Sequence, residues 1–373
     1  NFYSVGTDPN GNTTGNINDV LYNPNVVNEL IKSWEAGFEA RLFDNRVTLD
    51  FSLYKSNATN QLLDIPMDRL SGRRARKLNA GNIENKGFEL MLGLQPVRND
   101  NFTWDIMANI SKNINNIIDI AESEDVTQYQ IGGFDAVSVM AINGQRYGAI
   151  YGNTFARVTD DKSPYFGRII VDANGIPTQD AEKVLLGSQQ PDALVGLTNT
   201  FTYKNLSFSF LIDARFGGVI FSGTNHGLKS SGRAEATVVN GERADIIYNG
   251  VVSNGSGGYT ENTTAVSPQL FWEGVTTVSG TNLGIAEDNI FDATNIRIRN
   301  VQLNYNLPKG WINGIGAQHA KVGFSANNVL MLKSHLNGVD PESVFATGTN
   351  AVGFEMYSPP TTRTYFFNFS ISF

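Results

Sequence analysis

Segments in which apolar and polar residues alternate recur along this chain, and the connections between them alternate in length. Trp34, Ala36, Phe38, Ala40 and Leu42 alternate with Glu35, Gly37, Glu39 and Arg41. Across the tight FDNR turn, Val47, Leu49, Phe51 and Leu53 repeat the pattern, and Phe88–Leu94 and Phe102–Ser111 follow. GLTNTFTY and Leu206–Arg215 are separated only by Lys204 and Asn205, and further segments lie at Asn300–Leu307, Val322–Ala326 and Thr364–Phe373. A two-residue period places successive side chains on opposite faces of a strand, so these segments predict about nine strands of roughly 10 residues, joined as antiparallel neighbours. The short connections fall at 43–46, 95–101, 204–205 and 308–318, and the long polar ones at 55–81, 113–192, 217–293 and 333–361. Every second connection is long, so the long ones share one end of the sheet.

That layout is the one used by outer-membrane barrels, which have short turns on the periplasmic side and long extracellular loops. A secreted β-sandwich or adhesin shows the same alternation, but nothing requires its long loops to share an end. The two faces separate these alternatives. Glu35, Glu39, Asp105, Asn109, Asp213, Arg215, Asn300, Gln302 and Asn304 lie opposite the apolar residues, and they suit a wet lumen far better than half of a dry core. Phe43, Phe102, Trp104, Tyr203, Tyr305 and Phe373 gather at the short-turn end, where a membrane barrel carries an aromatic girdle. In the last segment, Tyr365, Phe367, Phe369, Ile371 and Phe373 then face lipid, while Thr364, Phe366, Asn368, Ser370 and Ser372 face the interior.

Composition agrees and excludes other classes. No run approaches the 18 to 20 apolar residues of a spanning helix, and a mean hydropathy of −0.21 is what strands with one wet face average to. The 373 residues include no Cys, which removes disulfides, thiolate metal sites and Cys nucleophiles. A net charge of −8 and the lack of a basic stripe argue against nucleic acid. Bacterial single-chain barrels use even strand numbers and leave no edge open. Nine strands, with Asn1 opening inside Gly/Asn-rich polar sequence, give the expectation that residues 1–373 are the C-terminal portion of a larger barrel domain whose earlier strands lie outside the chain.

Particular strings add what spacing does not. KSWEAGFEARLFDNRVTLDFSLYKSNATNQLL, NAGNIENKGFELML, FTWDIMANISKN, GQRYGAIYG, PDALVGLTNTFTYKNLSFSFLIDARFGG, DATNIRIRNVQLNYNLPKG, FSANNVLML, GVDPES and PPTTRTYFFNFSISF resemble, in order, the late barrel strands of TonB-dependent outer-membrane transporters of the SusC/RagA type. The resemblance covers about residues 27–373 and is weakest in the loops 113–145 and 217–290. It implies a 22-stranded barrel with an N-terminal plug, which this chain does not include. It also implies a SusD-like surface lipoprotein as lid, energy from the TonB-ExbB-ExbD complex through the plug, and a dimer of transporter–lipoprotein pairs. The family imports oligosaccharides and, in some members, peptides. Phe373 matches the terminal aromatic presented to the assembly machinery, with Tyr365, Phe367 and Phe369 carrying the same outward face.

A search for chemistry finds no enzyme. His226, His319 and His335 lack a G-x-S-x-G partner or H-E-x-x-H spacing. Asp340 and Glu342 in VDPES read as a turn, and so does VDANGIPTQDAE, whose Asp172, Asn174, Asp180 and Glu182 lack the ligand spacing of a calcium loop. Ligand contact instead falls to loop aromatics that stack on a sugar or peptide, with amides or charges fixing orientation. The candidates are Tyr129, Phe134, Tyr147, Tyr151, Phe155, Tyr165, Phe166 and, foremost, the adjacent Phe271 and Trp272 of SPQLFWEG; His226 and Arg215 are the polar ones. No cofactor is implied. The expected function is TonB-dependent import of an oligosaccharide, or next a peptide, across the bacterial outer membrane, with long loops outside and the C-terminus periplasmic. A passive outer-membrane porin is the alternative within the same fold.

Overall fold

The computed structural model describes residues 3–17, 19–121, 125–277, 283–336, 338–345 and 348–373; the Phe134 side chain lies outside what is described. Its dominant feature is one wall of antiparallel strands. These are β1 (Leu30–Leu42), β2 (Val47–Pro66), β3 (Ala75–Arg98), β4 (Phe102–Asp119), β5 (Ala193–Tyr203), β6 (Leu206–Phe216), β7 (Asn295–Asn306), β8 (His319–Ser334) and β9 (Thr364–Ser372). Each pairs with its neighbours in the chain, from β9 to β1 without a crossover, and Val20–Tyr22 adds a short parallel stretch along the start of β3.

The register converts the two-residue period into continuous bands. Trp104, Phe201, Phe208, Leu303, Phe324 and Phe367 are successive cross-strand partners, and the row beside them runs Phe102, Tyr203, Leu206, Tyr305, Val322 and Phe369. The rings in the first row lie close, with centroids 5.7 Å apart for Trp104–Phe201 and 5.1 Å for Phe324–Phe367. This is the girdle expected at the short-turn end. Asn199 falls on the same face, and the Trp104 indole N–H donates to its Oδ1 at 3.1 Å, which satisfies part of an amide on the lipid side. On the other face the matching rows are polar: Asp105, Thr200, Ser209, Gln302 and Ser325, then Thr103, Thr202, Ser207, Asn304, Gly323 and Asn368.

Two expectations need correction. The strands reach 20 residues in β2 and 24 in β3, so the segment 55–81 is mostly strand and its connection shrinks to residues 67–74. Lys55–Pro66 and Ala75–Lys86 pair in one register, Pro66 opposite Ala75, broken only where Asn60 and Gly81 take positive φ. Above the bilayer both faces of a hairpin meet water, so its Asn- and Gly-rich sequence loses the alternation that marks a strand. At the other end β3 continues to Arg98 through an irregularity between Leu94 and Val97, which shortens the turn to 99–101.

The long connections 120–192, 217–294 and 335–363 do not hang as separate loops; they fold together into a cap. The first supplies a four-stranded sheet in the order Gln179–Ser188, Ala149–Phe155, Val137–Ile142, Gln128–Phe134. The second and third meet where Val219–Ser222 pairs in parallel with Phe354–Glu355. A buried cluster of Val137, Val139, Ile150, Phe221, Ala286 and Phe354 draws on all three connections. Among the described residues the two largest fully buried side chains, Phe221 and Phe354, are here, and Ile117 near the upper end of β4 is sealed as well.

Candidate functional site in the cap

Two helices of the second connection frame the site. α1 (Gly223–Ser230) starts at Ser222, whose hydroxyl accepts from the Asn225 N–H at 3.1 Å. α2 (Pro268–Thr276) starts at Ser267 with Pro268 in the first helical position, where a missing N–H costs nothing. SPQLFWEG is therefore a helix start: Phe271 and Val275 fall on the buried face, while Gln269 and Glu273, one turn apart, fall outside and hydrogen-bond at 2.9 Å.

Between the helices lies an open recess of about 460 Å³. Trp272, Lys229, Arg243, Gln269 and Glu273 line it, with Ser230 and Ser231. Lys229 Nζ sits 5.6 Å from the Trp272 ring and 2.7 Å from Asp288 Oδ2, so a buried cation is held by one carboxylate and one ring face. Burial pushes the Asp288 carboxyl above its ordinary value, and Lys229 only partly opposes this. The Trp272 indole N–H is buried and has no hydrogen-bond partner among the described residues, so it is the ring and not its N–H that lines the recess.

Of the residues singled out from sequence, Trp272 alone lines this recess. Phe271 is 3% exposed and packs on Tyr248 and Trp272, with ring centroids 5.5 and 5.2 Å away. His226 is buried as well, its Nε2 3.0 Å from the Thr276 carbonyl, which ties α1 to the end of α2. Both support the recess without facing it, because an amphipathic helix must bury one side and Phe271 is on that side. Tyr147 lies elsewhere, donating its hydroxyl to Asn350 Oδ1 at 2.6 Å beside Tyr129, and Tyr151 stands opposite Ser138 and Leu185 in the four-stranded sheet. Arg215 sits on the polar face at the top of β6 and donates to the Gln189 carbonyl at 2.6 Å. Lys229, Arg243, Gln269 and Glu273 were missed; the Ser-Pro helix start gives Gln269 and Glu273 away, whereas nothing local marks Lys229 or Arg243.

A second charged constellation joins cap to wall. Arg297 and Arg299 project from β7; Arg297 donates to Asp340 Oδ1 at 2.9 Å, and Arg299 donates to both Glu342 oxygens at 2.8 and 2.6 Å. Arg299 Nε also donates to Asp213 of β6 at 3.0 Å. VDPES is a turn, as expected, with the Glu342 N–H donating to Asp340 Oδ1 at 2.9 Å. Its two carboxylates clasp the wall through the two arginines. Burial raises the Asp340 carboxyl, but bonds from Arg297 and Thr361 outweigh it and hold the group below its ordinary value. In VDANGIPTQDAE, Asp172 Oδ1 accepts from the Asn174 and Ile176 N–H groups, each at 2.9 Å, so it closes a turn. His319 is exposed on β8, and exposed His335 lies 3.7 Å from Asp292.

The last strand carries Tyr365, Phe367 and Phe369 outward, 57%, 86% and 65% exposed, and Phe373 just past its end is 74% exposed. A soluble protein would not leave such a stripe bare; a lipid-facing wall requires it.

No protein-family model matches the chain. It is 30% identical over 371 residues to TonB-dependent receptor P26 of Formosa agariphila and 25% identical over 372 residues to TonB-dependent receptor P3 of the same organism, each match covering 94% of this chain and 35% of the relative. TonB-dependent receptor SusC of Bacteroides thetaiotaomicron is 24% identical over 333 residues, covering 86% of this chain and 30% of its own length. The chain thus spans about a third of the length of the curated relatives it matches. Among solved structures, that of the RagAB peptide transporter superposes with a TM-score of 0.69 at 19% identity, over 100% of this chain and 38% of its own. The open-open state of the RagAB peptide importer gives 0.70 at 17% identity. A nine-strand partial barrel, an outward aromatic face and these relatives agree: over almost its whole length the chain is similar to the barrel part of TonB-dependent receptors of the SusC type, and it shares the fold of the corresponding part of RagAB.

Proposed function

We propose that this segment belongs to a transporter that imports a nutrient across the bacterial outer membrane with TonB-derived energy, the long-loop end facing outside and β9 ending in the periplasm. The observation that carries the reading is the interlocked cap, because one end of the wall bears a folded, ligand-sized recess and the other bears tight turns. The cargo is an oligosaccharide in the first reading: a Trp ring beside amide, hydroxyl and charged groups offers a stacking face and hydrogen bonds without a covalent step. A short peptide is the second, supported by the opposite charges of Arg243 and Glu273 in one recess and by the fold shared with a peptide importer. Trp272 is the contact residue, Phe271 and His226 are its supports, and Arg215, Tyr147 and Tyr151 are contacts along the route below. A SusD-like lipoprotein closes the long-loop end, and the energy-coupling complex acts through a plug domain outside this chain. Tyr365, Phe367, Phe369 and Phe373 serve as the outward-facing assembly signal.

The test is uptake of a panel of defined oligosaccharides and peptides by cells carrying the complete transporter. The lipoprotein, the energy-coupling complex and Trp272 are removed one at a time. Loss of either partner should abolish uptake. Trp272→Ala should raise the half-saturating concentration about two- to tenfold, the range of a single stacked ring, with folded barrel unchanged. Equal uptake without the lipoprotein and without energy coupling would make the protein a passive pore.

A further inference from the structure

Above the apolar belt the outward face of β1–β4 changes from apolar to basic within one step of the two-residue period. Along β2 Leu53 is followed on the same face by Lys55; along β3 Phe88 is preceded by Lys86; along β4 Ile110 is followed by Lys112; and along β1 Trp34 is preceded by Lys32. Register gathers them. Lys55 is the cross-strand partner of both Trp34 and Lys86, and Lys112 stands opposite Phe88, one diagonal step from Lys86.

Like charges directly opposite one another destabilise a sheet unless something lies between them. Glu84 does, with Oε2 2.6 Å from Lys55 Nζ and Oε1 3.0 Å from Lys86 Nζ. Its side chain is 9% exposed, against 38% and 49% for the two lysines, so one buried carboxylate holds two ammonium groups that remain partly exposed. Lys32 and Lys112 have no ion pair among the described residues. The cluster therefore keeps an excess of positive charge in a chain whose net charge is −8.

Height decides what meets it. From Val97, which shares the girdle row with Trp104, the chain rises about 25–28 Å to Lys86, at about 3.3 Å per residue and a tilt of about 40°. The apolar band of such a barrel is about 25 Å tall. The lysines thus stand at headgroup level on the outside of the wall, their alkyl stems lying over the apolar rows below.

We propose that Lys32, Lys55, Lys86 and Lys112, oriented by Glu84, form a site for the phosphate groups of an outer-leaflet lipid. The ammonium groups take the phosphates, and Leu53, Phe88, Leu90 and Ile110 lie below on the same face against its acyl chains. A free phosphate ion would use only the first half of this surface. The site lies on the opposite face of the wall from the polar lumen rows and does not depend on the cargo.

The experiment uses the complete transporter in mild detergent and native mass spectrometry, with three probes: a diphosphorylated glycolipid, the same lipid dephosphorylated, and inorganic phosphate. The diphosphorylated lipid should be retained, the dephosphorylated one lost, and millimolar phosphate should not displace the first. Combined Lys55→Gln, Lys86→Gln and Lys112→Gln should lower retention by about fivefold for each lysine removed, and Lys→Arg at the same positions should restore it. If the triple variant does not fold, Lys112→Gln alone, which leaves both Glu84 ion pairs intact, should still give about a fivefold loss. Equal retention of the dephosphorylated lipid, full displacement by phosphate, or unchanged retention in the Gln variants that fold would each overturn the proposal.

Discussion

In the wall, Trp104 meets Phe201 because both have the same parity on adjacent strands; in the cap, Phe221 meets Phe354 because two connections from different parts of the chain happen to cross. The wall's large side chains stay exposed to whatever surrounds it, 86% in the case of Phe367, whereas Phe221 and Phe354 are both sealed at 0%. One region takes its stability from backbone pairing and a lipid solvent, the other from a conventional dry core. Each should therefore fail in its own way and leave the other standing.

The largest expected effect lies in the cap. Phe354→Ala should cost about 3–5 kcal/mol of local stability, read as faster hydrogen exchange in residues 219–230 and 350–356, while the folded, heat-modifiable barrel persists. Collapse of the barrel together with the cap would mean that the two regions are one cooperative unit. In the wall, Leu197 lies on the lipid face, in the row of Ala108 and Ile212 between the girdle and the basic rim, and Thr198 points to the lumen. Leu197→Arg should destabilise the inserted barrel by about 2–4 kcal/mol and Thr198→Arg by less than about 0.5 kcal/mol, measured by denaturant unfolding from vesicles. Equal costs would remove the distinction between the faces.

The smallest effect is a pair of opposite pH dependences. Asp288 titrates above its unfolded value, so what it adds to cap stability is full below that value and is lost as pH rises through its native one. Asp340 titrates below its unfolded value; its clasp on Arg297 is present above that value and is lost as pH falls through its native one. Hydrogen exchange across the acid range should show α1–α2 and the 338–343 turn responding with opposite signs. Asp288→Asn and Asp340→Asn should each erase one of the two slopes; a common sign would contradict the assigned environments.

Legibility followed the same division. The nine wall strands, their neighbour pairing and the girdle could be read from residue parity alone, because lipid on one side and water on the other force a two-residue period. The upper halves of β2 and β3 could not, since Asn57, Asn82 and Asn85 face water from either side and look like loop residues until the register pairs them. Trp272 is legible as a loop aromatic, but the adjacent Phe271 carries the same signal and helical geometry turns it inward. Lys229 and Arg243 reach the recess only through the fold of a long connection. The Arg297–Asp340 clasp, which spans 43 positions in the chain, was invisible for the same reason.

The central claim is that the wall crosses the membrane with its cap outside and its tight turns inside. Because the chain contains no Cys, single cysteines placed in the complete transporter at Asp160, in the exposed cap, and at Asn205, in the turn between β5 and β6, can be labelled without background from this segment. A bulky maleimide applied to intact cells should label Asp160→Cys at once and Asn205→Cys only after the outer membrane is permeabilised. Immediate labelling at both positions, or at Asn205→Cys alone, would contradict it.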